Sequence, residues 1–445
     1  MSSVNLQSAL LSGPRTAREL ASALCVSQPT VSRWLAEQRD HILVIGKARA
    51  TRYALRRAVR EIGSEWPVYR VDEVGEVSLA GRLHAIYPAG FVWRDAVNHR
   101  ESLFEGLPWF LVDNRPQGFM GCQVVGLYKT HDLPERLEYW GDDDVLVGLT
   151  RFGHELPGNF LIGDYVRMSY CFLNEAIREA VSEDNLISLK DLRGQYPLEV
   201  GKSQSREGIR SSAGGEQPKL GEIVCVSDLQ CCELLIKYSP VCTMSSGLRW
   251  SDLLVAEHLA LAVLTDYNVA GALSQIFKLA GRTFLEVIRF DRTPHFGRRG
   301  IVSLEAVSNE FIGHSGAWDE QAASLLEQRL ISREDYERIL CIHAFGSLIA
   351  NTDMHNGNLS FFLGDDFSLR LAPVYDMLPM HHAPNNHGEV IARPLRQARP
   401  TRLTEPVWEG VKAWAVEYWR RVRDDDRISA DFQGIAAQYL HALEA

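Results

Sequence analysis

Five residues in the second half of the chain have side chains suited to moving a phosphoryl group: Lys237, Glu257, Asp353, Asn358 and Asp376. Asp353 and Asn358 stand in "NTDMHNGN" at a D-x-x-x-x-N interval, and Asp376 follows in "PVYDM". Phosphoryl transfer asks little covalent chemistry of a protein. It needs positioning, charge neutralisation and a group that orients the incoming hydroxyl. A carboxylate such as Asp353 can orient that hydroxyl and accept its proton. Asn358 and Asp376 are hard oxygen ligands of the kind that suit Mg2+ bridging phosphates. Lys237, in the apolar run "LLIKYSP", can hold phosphates with Glu257 as its counter-ion; taken singly, its amine can equally snorkel to water. Asn, Asp and Gly are also what polar turns are made of, and Asn351 and Asn356 read as turn residues. The order of the five, not any one of them, carries the reading.

The surrounding elements fit that order. "SSAGGEQPKL" (Ser211 to Leu220) is a Gly-containing loop feeding a hairpin, "GEIVCV" and "CELLIKY", with Lys237 near the end of the second strand. "SDLLVAEHLALAVL" (Ser251 to Leu264) reads as a capped amphipathic helix carrying Glu257, and "SQIFKLAGRTFLEVIRFDR" as a second hairpin. This is the order of a protein-kinase small lobe. From about residue 300 the chain is mostly helical; "SREDYERILCIHAFGSLIA" is a Ser-capped helix leading into Asp353, and "LSFFL" and "FSLRLAP" form a hairpin that returns Asp376 to the same site.

With 445 residues, two to four domains are expected. No run of about 18 apolar residues predicts a membrane span, and the N-terminus lacks the pattern of a secretory signal. The eight Cys are irregularly spaced without a CxxC pair, which predicts reduced thiols and a cytoplasmic location. The net charge of −10 hides an asymmetry: residues 1–60 carry ten Lys/Arg against three Asp/Glu, a net of +7, so the rest carries −17. That basic head predicts a nucleic-acid-binding module. Within it, Thr16 and Glu19 make a capping-box pattern, and "CVSQ" supplies a turn with Ser27 as the next cap. The second helix buries Val31 and Leu35 and presents Gln28, Thr30, Ser32 and Arg33, types suited to base edges and phosphates. "HILVIGKARATRYALRR" then reads as a ribbon with Lys47, Arg49 and Arg52 near its turn. Helix–turn–helix plus basic hairpin predicts a winged helix–turn–helix; a small protein-interaction domain is the alternative. Such heads commonly work as two-fold homodimers, although no dimerisation segment is legible.

Three other stretches tempt a chemical reading. Adjacent Asp142, Asp143 and Asp144 point in different directions on a strand or a helix, so a solvated loop is expected rather than a metal site. "YPLEVGKSQ" (Tyr196 to Gln204) misses the phosphate-loop pattern, having Tyr196 where Gly is required. "MHHAPNNH" (Met380 to His387) reads as an exposed or substrate-facing loop more than a transition-metal site.

Taken together, "SAGGEQPK", "LLIK", "IRFDR", "NTDMHNGN" and "PVYDM" resemble the HipA family of bacterial serine/threonine kinases, toxins of toxin–antitoxin systems associated with growth arrest and persistence. The resemblance spans roughly residues 70–435. It implies an α+β, protein-kinase-like two-lobed fold, with a β-rich N-lobe and a mainly helical C-lobe, behind the winged helix–turn–helix. The expected divisions are 1–60, a HipA-type α/β subdomain over 61–195, the N-lobe over 196–292 and the C-lobe over 293–445. It implies a kinase that uses ATP and Mg2+ to modify Ser/Thr of protein substrates, with Asp353 catalytic and Asn358 and Asp376 holding metal. Lys237 and the phosphate loop (Ser212, Ala213, Gly214, Gly215, Lys219) would meet the nucleotide, with Glu257 holding Lys237. Ile288 to Phe290 would form the adenine hinge, and Asp291 would reach the ribose. Ser212, or its neighbour Ser211, falls at the family's autophosphorylation position. HipA toxins commonly depend on a separate DNA-binding antitoxin; here the DNA-binding head is in the same chain, which suggests built-in regulation. The alternatives are a DNA-binding regulator with a degenerate kinase body, a metal-dependent nuclease, and a small-molecule kinase of the aminoglycoside type.

Overall fold

The computed structural model describes residues 2–116, 132–182, 189–207, 219–227, 230–294, 296–385 and 387–444. Its contacts form two compact units: residues up to Glu175 apart from 73–75, and residues from Ala176 onward together with 73–75.

The first unit begins with helices α1 (Ser2–Leu10), α2 (Ala17–Ala23) and α3 (Gln28–Glu37). The expected capping box forms: Thr16 Oγ1 accepts the Glu19 N–H at 3.2 Å, and the Thr16 N–H donates to Glu19 Oε2 at 2.7 Å. Two amides that a helix start would orphan are thereby satisfied. Ser27 caps α3 by accepting the Thr30 N–H, with Pro29 in the first turn, where no N–H is needed. The sequence patterning missed α1, yet its Leu6 and Leu10, one turn apart, are buried with Leu20, Val31, Leu35, Ile42 and Leu55.

An antiparallel hairpin follows, β1 (Ile42–Ile45) with β2 (Arg52–Leu55). Next come β3 (Glu65–Val71), β4 (Val77–Ala85), β5 (Phe91–Asp95), β6 (Glu101–Phe104), the single helical turn α4 (Trp109–Val112), α5 (Asp142–Phe152) and β7 (Phe160–Ile162). The five strands make one antiparallel sheet in the order β6-β5-β4-β3-β7. Leu43, Ile45 and Ala54 of the hairpin are buried in one cluster with Ile86 and Val92. The hairpin and the sheet therefore share a core, which residue 60 does not divide. Asp142, Asp143 and Asp144 prove to be the first turn of α5 rather than a solvated loop. Asp142 accepts the Leu107 N–H and pairs with Arg115, Asp143 pairs with Arg57, and Asp144 caps the Gly141 N–H and pairs with Arg60. Three carboxylates suit a helix N-terminus, where the dipole favours negative charge. α6 (Asp164–Ser182) follows β7.

In the second unit, α7 (Leu189–Glu207) contains "YPLEVGKSQ", so that stretch is helix, and the boundary expected at residue 195 falls inside it. Tyr196 is fully buried and donates to Glu286 Oε1 at 2.9 Å, while Arg193 grips both oxygens of the same carboxylate. Strands β8 (Lys219–Ser227), β9 (Gln230–Tyr238), β10 (Ser274–Leu279) and β11 (Arg282–Ile288) form an antiparallel sheet, order β10-β11-β9-β8. Between β9 and β10, α8 (Ser245–Asp266) starts earlier than expected. Ser251 is therefore no cap; it is a buried helix residue bonded to Thr283 Oγ1 at 2.6 Å.

The remaining elements are β12 (Gly300–Ser303), α9 (Leu304–Phe311), α10 (Trp318–Glu327), α11 (Arg333–Leu348), β13 (Ser360–Leu363), β14 (Leu369–Leu371), α12 (Glu405–Asp424) and α13 (Ala430–Glu444). The expected hairpin β13–β14 gains a third strand, β12, which four residues, "GIVS", did not announce. Among the described residues no helix is long and apolar enough to cross a membrane. Cys25, Cys171, Cys232, Cys242 and Cys341 are free thiols.

Candidate functional site

The strand pattern puts Lys237 on β9 directly opposite Lys219 of β8. Like charges in that register repel, and the fold answers them with carboxylates. Lys237 Nζ lies 2.5 Å from Glu257 Oε1 of α8 and also donates to Asp376 Oδ1. Lys219 Nζ stands 3.9 Å from Asp376 Oδ2. Residues 20 and 139 positions away from Lys237 thus meet on its ammonium. Burial works against that charge, but Asp376 and Glu257 outweigh it and hold the lysine above its ordinary range. Burial would also raise Asp376; Lys237 and Lys219 reverse this and hold it well below the usual carboxylate range. Glu257 goes the other way, raised by burial and by the neighbouring Asp376. Two carboxylates sharing one cation are pushed apart in affinity for protons. The buried Glu257 Oε2 makes no hydrogen bond among the described residues.

The second half of the site follows α11. Ser332 caps this helix as expected, accepting the Asp335 N–H at 3.0 Å. The helix ends in a Schellman-type turn, with the Asn351 N–H donating to Gly346 O at 2.8 Å and Ala350 at φ +60°. Asp376 is also left-handed, at φ +51°. Ala gains nothing from that conformation, and such strain concentrates at functional sites. Gly346 permits the assembly: a Cβ there would lie 2.3 Å from Met354 Sδ and 3.3 Å from Met377 Sδ, the residues following Asp353 and Asp376.

Asn351, a turn residue by type, joins the two acidic segments. It is buried; its Oδ1 accepts the Asp353 N–H at 3.0 Å, and its Nδ2 donates to Asp376 O at 3.4 Å. Asn358 Nδ2 donates to Asp353 O at 3.0 Å, which leaves its Oδ1 for another partner. His355 caps its own loop by accepting the Gly357 N–H, and Tyr375 donates to Gly357 O at 2.8 Å. Asp353 itself lies in a cleft of about 340 Å3 whose walls include Trp318, His343 and Arg396.

Other expected residues fare differently. Ser211, Ser212, Ala213, Gly214 and Gly215 lie outside the described residues. At the hinge, the Ile288 N–H donates to Leu273 O and the Arg289 N–H to Glu233 O, so neither amide is open to a base. Phe290 packs edge-on to Phe362 and tilted against Tyr375. Asp291, expected at a ribose, is instead buried in an ion-pair cluster: Arg289 and Arg292 both grip its carboxylate, the latter at 2.6 Å. Two guanidinium groups satisfy its oxygens more strongly than a sugar hydroxyl would.

The "MHHAPNNH" stretch holds no metal cluster among the described residues. His381 contacts Pro394 O, and His382, buried, contacts Tyr439 Oη at 3.1 Å. Burial, aided by His381, Arg249 and Arg393, pushes His382 down to about 3. A depressed folded value means stability present above the unfolded value near 6.5 and lost as pH falls toward 3. His382→Gln is therefore expected to remove about 1.4 kcal/mol per pH unit from the acid-side slope of unfolding free energy. Denaturant titrations of both proteins between pH 6.5 and 4.5 measure it; equal slopes would reject it.

In the first unit, Gln28, Ser32 and Arg33 are exposed on α3, and Lys47, Arg49 and Arg52 are exposed at and after the hairpin turn. Thr30 is less open, since its hydroxyl contacts Ser27 Oγ at 2.9 Å as part of the cap. Arg94 of β5 donates to Val44 O, and Glu101 of β6 accepts the Gly46 N–H at 2.5 Å, fixing the base of the hairpin.

A sheet carrying a buried Lys–Glu pair, joined through that lysine to a helical part with a D-x-x-x-x-N loop, has the layout of a protein-kinase-like fold. Comparisons with known proteins identify the family. The chain matches the YjjJ-like toxin middle-domain family model over residues 62–171 and the HipA-like C-terminal domain model over 211–440. It is 36% identical over 432 residues to toxin YjjJ of Escherichia coli (strain K12), covering 96% of this chain and 95% of that one. HipA, solved in the Shewanella oneidensis MR-1 HipA, HipB and operator DNA complex, aligns at a TM-score of 0.50 and 13% identity, over 84% of this chain and 95% of its own. The chain belongs to the HipA-like toxin family.

Proposed function

We propose that the protein is a Mg2+- and ATP-dependent protein serine/threonine kinase acting as a growth-inhibiting toxin. The observation that carries this is the buried Lys237 ammonium held between Glu257 and Asp376, with Asn351 tying Asp376 to the Asp353 loop. The donor set fits the cofactor. Asn358 Oδ1 and Asp376 are oxygen ligands, and Lys219 and Lys237 are cations for phosphates. Mg2+ is commonly held by one or two protein oxygen ligands together with substrate phosphates, which an Asn and an Asp can supply. Bound Mg-ATP supplies the phosphoryl group and its charge neutralisation. The chain's own residues orient and hold. Asp353, its backbone fixed by Asn351, accepts the proton of an acceptor hydroxyl. Lys237 holds phosphate oxygens and Glu257 holds Lys237. Adenine would have to be read by backbone groups other than the Ile288 and Arg289 amides. Ser212 or Ser211 is proposed as the autophosphorylated residue. The test is incubation of the purified chain, alone and with cell lysate, with radiolabelled ATP and Mg2+; no label on the chain or any lysate protein would sink the reading.

The second part of the proposal is that residues 1–60 form a winged helix–turn–helix that binds DNA and restrains or targets the kinase. Three helices, two of them capped by Thr16 and Ser27, the hairpin and the exposed basic residues support it. Truncation at residue 60 is a poor test, because it would strip the core that the hairpin shares with Ile86 and Val92. Point changes keep that core. Gln28→Ala and Arg33→Ala are each expected to weaken binding to a selected DNA site by about 1–3 kcal/mol, roughly 5- to 150-fold. Fluorescence anisotropy measures this, and unchanged affinity in both variants would leave the head a protein-interaction domain. A homodimer is proposed for the DNA-bound form.

A further inference from the structure

The segment between Ile391 and Thr404 joins the histidine loop to α12 and carries an arginine at every third position: Arg393, Arg396, Arg399 and Arg402. It contains no Asp or Glu. Elsewhere in this acidic unit arginines are routinely ion-paired, as Arg193, Arg249, Arg289, Arg292 and Arg421 are. None of the four strap arginines forms an ion pair among the described residues, and Arg396, Arg399 and Arg402 are exposed.

The strap is nevertheless held in place. Arg393 donates to the carbonyls of His381 and Ala383, the Arg396 N–H donates to Tyr439 Oη at 3.0 Å, and Thr401 Oγ1 donates to the buried Asp319 at 2.6 Å. Its placement also matters. Arg396 lines the cleft that contains Asp353, and Arg393 lines an adjoining cavity of about 600 Å3; Thr352 borders both. Histidines 343 and 355 line the first and 381 and 387 the second, and Asp353 is the one carboxylate among the described residues lining either.

We infer that this strap is the docking site for the acceptor substrate, and that it selects a Ser/Thr segment flanked by Asp and Glu. The inference rests on the kinase reading and names the substrate class of that site. The strap is tied down at Arg396 and Thr401, so the exposed guanidinium groups of Arg396, Arg399 and Arg402 are presented from a fixed base and can match carboxylates bidentately. The groove suits a peptide better than a nucleic acid. Single strands are held by stacking on exposed aromatic rings, whereas Trp318, the one Trp, Tyr or Phe lining either cavity among the described residues, is buried, with its Nε1 bonded to His355 O.

The experiment uses the full chain, Mg-ATP and three peptides with one central Ser, flanked by Asp/Glu, by Ala/Gly or by Lys/Arg. The acidic peptide is expected to have a kcat/KM at least 10-fold above the neutral one, and the basic peptide the lowest. In the charge-reversed variant R396E/R399E/R402E the order inverts, with the basic peptide now preferred, a gain that misfolding cannot produce. Equal rates for the three wild-type peptides, or a preference the variant leaves unaltered, would overturn the inference while leaving the kinase reading standing. No labelling of any peptide, of the chain itself or of lysate would overturn both. An anisotropy arm compares the acidic peptide with a 12-nucleotide single strand. Strap-dependent binding of the oligonucleotide, with the peptide's affinity unchanged in the variant, would reassign the groove to nucleic acid and overturn the inference.

Discussion

Asp353→Asn is expected to lower phosphoryl transfer to protein by about 10²–10⁴-fold, the usual contribution of a positioned general base. The substitution removes the group that takes the hydroxyl proton but keeps its size and polarity. What positions residue 353 is backbone chemistry: its N–H donates to Asn351 Oδ1 and its carbonyl accepts from Asn358 Nδ2. Both bonds persist in the variant, so the thermal midpoint should shift little. The check pairs initial rates of label transfer with a melting curve. A variant that kept near wild-type transfer would remove Asp353 from the catalytic role, and the degenerate-kinase alternative would gain if wild type were equally slow.

Lys237→Met is expected to destabilise the fold in a pH-dependent way. It leaves Glu257 buried without its cation, beside Asp376, and breaking a buried pair from one side costs about 3–5 kcal/mol. The loss should depend on pH. A Glu whose folded value is raised contributes stability below its unfolded value near 4.3, and that contribution is lost as pH rises through the folded value. Without the ammonium that value climbs further, so the variant is most destabilised near pH 8 and recovers part of the loss toward pH 5. Adding Glu257→Gln removes the stranded charge, and the double variant should be more stable than Lys237→Met alone. Urea denaturation of the four proteins of this cycle at pH 8 and pH 5 decides it. Independent, additive effects would mean that the two side chains do not share one ion pair.

Legibility in the sequence divided along physical lines. Local patterns were readable: the Thr16–Glu19 box, the Ser27 and Ser332 caps and both hairpins around Lys237 formed where residue types predicted them. So was the spacing of Asp353 and Asn358, because an interval of five lies within one loop. Elements were missed where the signal was short, as in β12, or sparsely apolar, as in α1. Ser251 illustrates a different error. Its type and position suggested a cap, but a helix propagates through any residue its neighbours support, and α8 began at Ser245.

Side-chain partners were not readable. Asp291 was expected at a ribose and is instead claimed by Arg289 and Arg292, because burial demands that a carboxylate be paired and these arginines are nearest. Asn351 looked like a turn residue; only burial between two loops made it the link from Asp353 to Asp376. What the sequence alone determined was the cast and its order: a basic head, a lysine strand, a glutamate helix, an Asp–Asn loop and a returning aspartate. Tertiary structure decided which of them touch, because a contact such as Lys237 with Asp376, 139 residues apart, depends on how β9 and the β14 connection meet in space. It also set how tightly each group holds a proton, since one ammonium shared by the buried Glu257 and the partly buried Asp376 drives the two in opposite directions.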